Sequence, residues 1–328
     1  LRFGRTRSKS SRPASSSAWT DGPAPMSESR GEGTIRRIVR TATKIESHEL
    51  TATLLSFLFV FVLMTAYFIL RPVRDALSSD WTDQQLSWLW TSTFFFSLIA
   101  VSVYGAVISR LKFRVIVPGV YTFFAATFVG FYVLGQTLGD NDWVNRAYYF
   151  WLSVFSLYHL SVFWTFMSGL YDREQAKRLF SIIAMGASTG AIVGPAIPTF
   201  FASSIGTLNL LLIAAMLLLV PIPIIWKLEK LKISELGNSD VAADLSQDER
   251  LAANPFSGFT TFIRNPYLLA IGLFILLYVV MNTFIYFELR KMMGDFDREL
   301  RTQIWGGIDL AVNSLALVTA LFATGRLA

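Results

Sequence analysis

Two apolar runs of the chain close in the same way: Tyr67-Phe68-Ile69-Leu70-Arg71 and, 219 residues later, Tyr286-Phe287-Glu288-Leu289-Arg290. A second cation follows each, Arg74 after the first and Lys291 after the second. A guanidinium grips phosphate or carboxylate through two parallel hydrogen bonds. Cations at matching positions of two repeats therefore suit an anionic group held between them. Tyr67 and Asn282, on the same runs, could add polar contacts, although an intramembrane Asn equally glues neighbouring helices. The plain alternative for each cation is that it snorkels to the headgroups and anchors a helix end. The repeat favours Arg71 and Arg290 over that alternative, with Arg74 and Lys291 as less symmetric companions.

A second group has the chemistry of coupling rather than binding. Asp309 is the one formally charged residue inside the long apolar runs, and Gly306 and Asn313 share its helical face at spacings of three and four. An acid in hydrocarbon is costly and by default marks a pathway or coupling residue; otherwise it is a buried carboxylate neutralised by an arginine from one of the further helices that a twelve-span protein would have. Asp75 stands four residues from Arg71, the spacing of an ion pair along one helix face. His159 either carries a proton from a cavity or packs as a hydrogen-bonded polar residue between helices, and the second reading is favoured.

These residues need elements to hold them, and the composition says which. Of 328 residues, 53% are hydrophobic and 16% charged, against about 25% charged in a soluble domain; mean hydropathy is +0.48. Eight runs are long enough to cross a bilayer: 51–70, 87–108, 115–138, 147–170, 180–203, 208–226, 267–287 and 303–324. Backbone in hydrocarbon must bond within its own segment, so these runs predict helices. With the loop after the first span outside, segments 27–50, 109–114, 171–179, 227–266 and 325–328 hold 17 Lys and Arg. The opposite segments 71–86, 139–146, 204–207 and 288–302 hold 7. That excess puts the N-terminus in the cytoplasm.

The expected organisation is a cytoplasmic tail over 1–50, a first six-helix bundle over 51–226, a cytoplasmic linker over 227–266 and the first two helices of a second bundle over 267–328. Residues 1–25 are rich in Arg, Ser and Pro and hold a single acid, Asp21. They read as upstream sequence with Met26 as the start, in preference to an organelle transit peptide. The ending Gly325-Arg326-Leu327 repeats the Ser109-Arg110-Leu111 end of the second span. By that parallel a complete chain has twelve spans, of which eight are present.

Gly105, Arg110 and Arg114 fall around the connection between spans 2 and 3, in Gly105-Ala-Val-Ile-Ser109-Arg110-Leu111-Lys112-Phe113-Arg114. The segment resembles the cytoplasmic loop motif of the major facilitator superfamily, with Ser109 and Lys112 in place of the motif's Asp and second Gly. Span 5 carries Gly186, Gly190, Gly194 and Pro195. Glycines four apart form one stripe that admits a neighbouring backbone, and Pro195 removes a backbone hydrogen bond and favours a bend. The pattern is similar to the Gly-Pro motif in the fifth helix of antiporters of that superfamily.

Ile69-Leu70-Arg71-Pro72-Val73-Arg74-Asp75, together with the charged turn Asp172-Arg173-Glu174-Gln175, resembles the bacterial relatives of the ATP/ADP translocase (nucleotide transporter) family. Arg71 and Asp75 match that family's ending of the first span, and Arg74 stands where it has Lys. The resemblance covers about residues 50–328 and implies an all-α, polytopic membrane helix bundle of facilitator type. It further implies an antiporter in a bacterial inner (plasma) membrane, exchanging ATP, ADP or related phosphorylated anions by alternating access.

Absences narrow the classes. There is no Gly-x4-Gly-Lys-Ser/Thr loop to hydrolyse ATP, no His-Glu-x-x-His, no Gly-x-Ser-x-Gly and no cysteine. Neither an enzyme nor a cofactor or metal is expected. The +6 net charge sits between apolar runs, so the partners implied are a small anionic substrate and the lipid bilayer, not nucleic acid. A proton-coupled organic-solute permease using Asp309 or His159, and a non-transporting membrane scaffold, are the alternative readings.

Overall fold

Apolar runs with no water to bond their backbone fold as helices, and that is what the computed structural model contains. It describes residues 46, 48–108, 113–234, 236 and 262–322. Most of the expected tail, residues 235 and 237–261 of the expected linker and the Gly325-Arg326-Leu327 ending lie outside the described residues. Among the described residues the order is α1 (Leu50–Ser78), α2 (Asp83–Ile108), α3 (Phe113–Leu138), α4 (Asp142–Leu170), α5 (Arg173–Ile205), α6 (Asn209–Leu219), α7 (Pro221–Ser234), α8 (Pro266–Met293) and α9 (Arg298–Phe322), with no strand. Six segments are long and apolar enough to cross a membrane: α1, Ile116–Leu138 of α3, α4, α5, Asn209–Lys232 across α6 and α7, and α8. Helices α2 and α9 occupy the other two expected spans.

Local sequence sets the starts. Asp172 caps α5 by accepting from the backbone of Glu174 (2.8 Å) and Gln175 (2.7 Å), and the Gln175 side chain accepts from the Asp172 N–H at 3.2 Å. This capping box gives the Asp-Arg-Glu-Gln turn a structural role. Asn141 caps α4 and Asn265 caps α8, where Pro266 fills the first helical position and forfeits no bond.

Two boundaries differ from the expected ones. Helix α1 does not stop at Leu70 but continues to Ser78, because Val73, Ala76 and Leu77 extend its buried face. Arg71, Arg74 and Asp75 are therefore in a helix rather than at the mouth of a loop. The sixth span is two helices, divided at Val220 before Pro221, and α7 runs on to Ser234 through residues expected in the linker. Pro221 and Pro223 both lack the N–H that a continuous helix would use.

Helix α1 is the centre of the bundle: 61% of its apolar window is buried, whereas α8 buries none of its own. α1 packs against α4, α5, α6, α7 and α9. The contact with α5 is backbone on backbone. A Cβ on Gly186 would lie 2.6 Å from the Phe57 carbonyl oxygen, one on Gly194 would lie 2.8 Å from that of Thr65, and Gly190 meets the Phe61 carbonyl in the same way. The other face of α5 receives α9, where a Cβ on Gly306 would lie 2.7 Å from Thr199 Oγ1 and 3.1 Å from the Pro195 oxygen. Helix α5 continues through Pro195 and Pro198, which deprive the Ala191 and Gly194 carbonyls of their usual donors. Aromatic rings fill the α1–α3–α4 core: Phe59 sits edge-on to Tyr121 and Phe163, and Phe155 packs on Phe124 and Phe128.

Candidate functional site

The last third of α1 places Arg71, Arg74, Asp75 and Ser78 within two turns. Asp75 is 2% exposed and collects donors from three directions. Arg74 gives it Nη2 at 2.8 Å and Nε at 3.0 Å, Arg71 Nε lies 3.7 Å away, and the Tyr286 hydroxyl of α8 donates at 3.2 Å. Arg74 also lies over the Tyr149 ring, 5.2 Å from its centroid. A buried carboxylate without such partners would be too costly to keep ionised; here the helix that carries it supplies two cations.

Arg71 reaches further. Its Nη1 lies 3.1 Å from Asp309 Oδ1 on α9, and its side chain keeps 36% exposure. The cluster of Arg71, Arg74, Asp75 and Asp309 thus balances two positive charges against two negative ones, contributed by α1 and α9. Asp309 is 7% exposed and its Oδ2 is buried with no partner. Asn313 donates to the Asp309 backbone oxygen at 2.8 Å. The arginine beside Asp309 comes from α1 and not from a further helix as expected, because α1 and α9 pack together and bring Arg71 within reach.

The expected meeting of Arg71 and Arg290 across one cavity is not what this structure has. Arg290 is 3% exposed, donates to the Ser78 oxygen at 3.0 Å and to the Trp81 oxygen, and pairs with Asp83. Both of its terminal nitrogens are committed to the end of α1 and the start of α2, while its Nε is buried without a partner. Lys291 lies 3.4 Å from Asp83 and 3.2 Å from Glu288, half exposed. The residue of the second repeat that does reach the Arg71 cluster is Tyr286, the counterpart of Tyr67. Tyr67 itself stacks on His159, with centroids 4.6 Å apart.

His159 is 3% exposed, its Nδ1 lies 3.2 Å from the Phe155 oxygen, and its Nε2 has no partner. Asn282 is exposed on α8 and donates to the Tyr278 oxygen at 3.0 Å. Gly186, Gly190, Gly194 and Pro195 form the α1 and α9 contacts of α5 described above. Arg110 lies outside the described residues, as do the surroundings of Gly105 and Arg114. Among the described residues no group of three His, Asp or Glu could hold a metal ion.

Sequence reasoning missed a second constellation. Where the α1–α2, α3–α4 and α8–α9 connections gather, acids of the first half face cations of the second. Arg298 pairs with Asp140 at 2.6 Å and lies 3.6 Å from Asp80; Arg301 pairs with Asp80 and donates to the Phe296 (2.7 Å) and Gly294 (2.8 Å) oxygens. With Arg290–Asp83, these contacts clasp the halves at one end. The Arg298 hydrogen bond holds the Asp140 carboxyl below its usual range. Gln303 on Ser203 (3.1 Å) and Thr207 against Thr302 (3.5 Å) add neutral contacts at the same end. Exposed pairs such as Lys291–Glu288 are screened by solvent and contribute little, so the buried guanidiniums of Arg290 and Arg301 carry most of the clasp. The signal was faint: Asp80, Asp83, Asp140 and Asp142 stand in the first-half connections, but segment 288–302 balances Arg290, Lys291, Arg298 and Arg301 with Glu288, Asp295, Asp297 and Glu299.

A bundle of membrane-spanning helices, two halves clasped at one end and a balanced ion cluster between α1 and α9 define an integral membrane protein of transporter architecture. The chain matches the Major Facilitator Superfamily over residues 21–328 and belongs to that superfamily. It is a secondary transporter of the facilitator type. No curated protein and no solved structure matches it.

Proposed function

We propose that the chain exchanges nucleotides (ATP- and ADP-like) or related phosphorylated anions by alternating access, with its N-terminus in the cytoplasm of a bacterial cell. The observation that carries this reading is the cross-half pair Arg71–Asp309. Arg71 is the more exposed member, at 36% against 10% for the Asp309 side chain, and an arriving phosphate or carboxylate offers it two parallel hydrogen bonds where Asp309 Oδ1 supplies a single contact. The anion replaces Asp309, and the halves lose one of the pairs that join them. The likeness of Ile69-Leu70-Arg71 and Asp75 to the ATP/ADP translocase family supports a nucleotide as the anion. Arg71 and Tyr67 are the proposed binding residues, with Arg74 pairing Asp75, and Arg290 and Lys291 acting when the clasp opens. The test is counterflow: proteoliposomes loaded with ADP should take up labelled ATP at a rate that an uncoupler leaves unchanged. No counterflow with any nucleotide would sink the reading.

A second reading has its own observation. Asp309 Oδ2 is buried without a partner, the position of a carboxyl that takes a proton when its arginine is drawn away. In a proton-coupled permease, uptake collapses with the pH gradient, which the same uncoupler experiment reveals.

A further inference from the structure

We propose that the seam between α2 and α4 binds one glycerophospholipid, its phosphate at Arg146 and an acyl chain in the groove beneath. Two cavities lie along this seam, away from the Arg71 cluster. The upper one, of about 380 Å³, is at the start of both helices and is lined by Trp81, Trp88, Trp143, Gln85 and Arg146. The lower one, of about 410 Å³, is apolar and bounded by Ile99 of α2, Phe123 of α3 and Trp151 and Val154 of α4. Phe96 of the lower cavity and Phe150 of the upper one touch, with centroids 4.9 Å apart, so the two lie next to each other along the seam, parted by this ring pair.

Arg146 is equipped for a phosphate. Its Nη2 holds Asp142 at 2.8 Å, and Trp81 Nε1 donates to the other Asp142 oxygen at 2.7 Å. The Arg146 side chain keeps 29% exposure and lines the upper cavity. Asp142 one turn earlier and the Trp81 ring, 5.7 Å from Arg146 Cζ, hold the guanidinium at the cavity wall. Trp143 and Trp88, 81% and 66% exposed, stand where indoles sit at the headgroup level. The scale also fits. From Arg146 to Tyr158 is about 18 Å of helix, close to one acyl layer, or about half of a ~30 Å hydrocarbon core. A free phosphate could take the upper contacts alone, but it would leave the groove unused.

The test is native mass spectrometry of the full chain titrated with phosphatidylglycerol, alongside Arg146→Gln and Ile99→Asn. Ile99 is 62% exposed, so its replacement spoils the groove without disturbing packing. The lipid adduct of the native chain should fall at least tenfold in each variant, and inorganic phosphate should neither form an adduct nor displace the lipid. Equal lipid retention in both variants, or no lipid adduct on the native chain, overturns the proposal. So does a phosphate adduct that depends on Arg146 while lipid retention does not, since that describes a free-anion site.

Discussion

Arg71 Nη1 lies 3.1 Å from Asp309 Oδ1, an ion pair that joins α1 of the first half to α9 of the second. It makes the acid of the eighth expected span and the arginine of the first a single unit. Breaking one side of it should be worse than breaking both. Arg71→Gln leaves Asp309 without its cation and should destabilise by about 1–3 kcal/mol, less than for a fully enclosed pair because Arg71 is partly solvated. Arg71→Gln with Asp309→Asn should recover most of the loss in a thermal melt. Additive losses would mean that the two residues act independently.

Arg74 should behave differently. It is enclosed with Asp75, whose carboxylate it neutralises at 2.8 Å. Arg74→Ala leaves the buried acid with only Arg71, 3.7 Å away, and the Tyr286 hydroxyl, and should cost about 3 kcal/mol, appearing first as low yield of folded protein. Arg74→Lys keeps the charge but loses the two-point grip, and should fall between the two. A normal melt for Arg74→Ala would show that Asp75 does not depend on it.

The clasp can be held shut. The chain has no cysteine, so Asp140→Cys with Arg298→Cys introduces the only reactive thiols. A flexible bifunctional maleimide across this pair should abolish transport, while either single variant labelled with the same reagent should keep it. Undiminished transport in the cross-linked protein would mean that this end never opens.

Acid should loosen the same end. Arg298 depresses the Asp140 carboxyl in the folded state, so its contribution is complete above the ordinary aspartate value of 3.8 and is lost as pH falls through the lower folded value. Spin labels placed on the α3–α4 and α8–α9 connections should separate below about pH 4 in the native chain, and less sharply with Asp140→Asn. A distance that is flat with pH in the native chain contradicts the assignment.

The glycine stripe of α5 gives a packing test. Gly190 lies against the Phe61 carbonyl of α1, and backbone cannot step aside as a flexible side chain can. Gly190→Val should lower stability by about 1–3 kcal/mol or more, whereas Gly130→Val, on α3 with nothing within 4 Å of the added Cβ, should leave the melt unchanged. Equal melts for the two variants would remove the close approach from the account.

Periodicity and hydropathy located the spans because the bilayer fixes their length and forces their backbone to be helical. The Gly186–Gly194 stripe was legible for a related reason: small residues at i, i+4 and i+8 have one packing consequence. Ends were less legible. Helix α1 outlasts its apolar run because Val73 and Leu77 still have a buried side to face, and that depends on neighbours the sequence does not name. The site was half legible. Arg71, Asp75 and Asp309 stood out by type and depth, but the pairing of Arg71 with Asp309 is a tertiary contact between residues 238 apart. The repeat misled over Arg290, since equivalent positions in two halves share a register without sharing an environment.

The most direct test is the affinity of the purified chain for ADP, measured by calorimetry in the native protein, Arg71→Gln and Asp309→Asn. If the anion takes Arg71 from Asp309, Arg71→Gln weakens binding about 10- to 100-fold, the equivalent of a charge-assisted hydrogen bond of about 1.5–3 kcal/mol. Asp309→Asn, which removes the competitor, tightens it. Equal affinity in all three proteins would contradict the account.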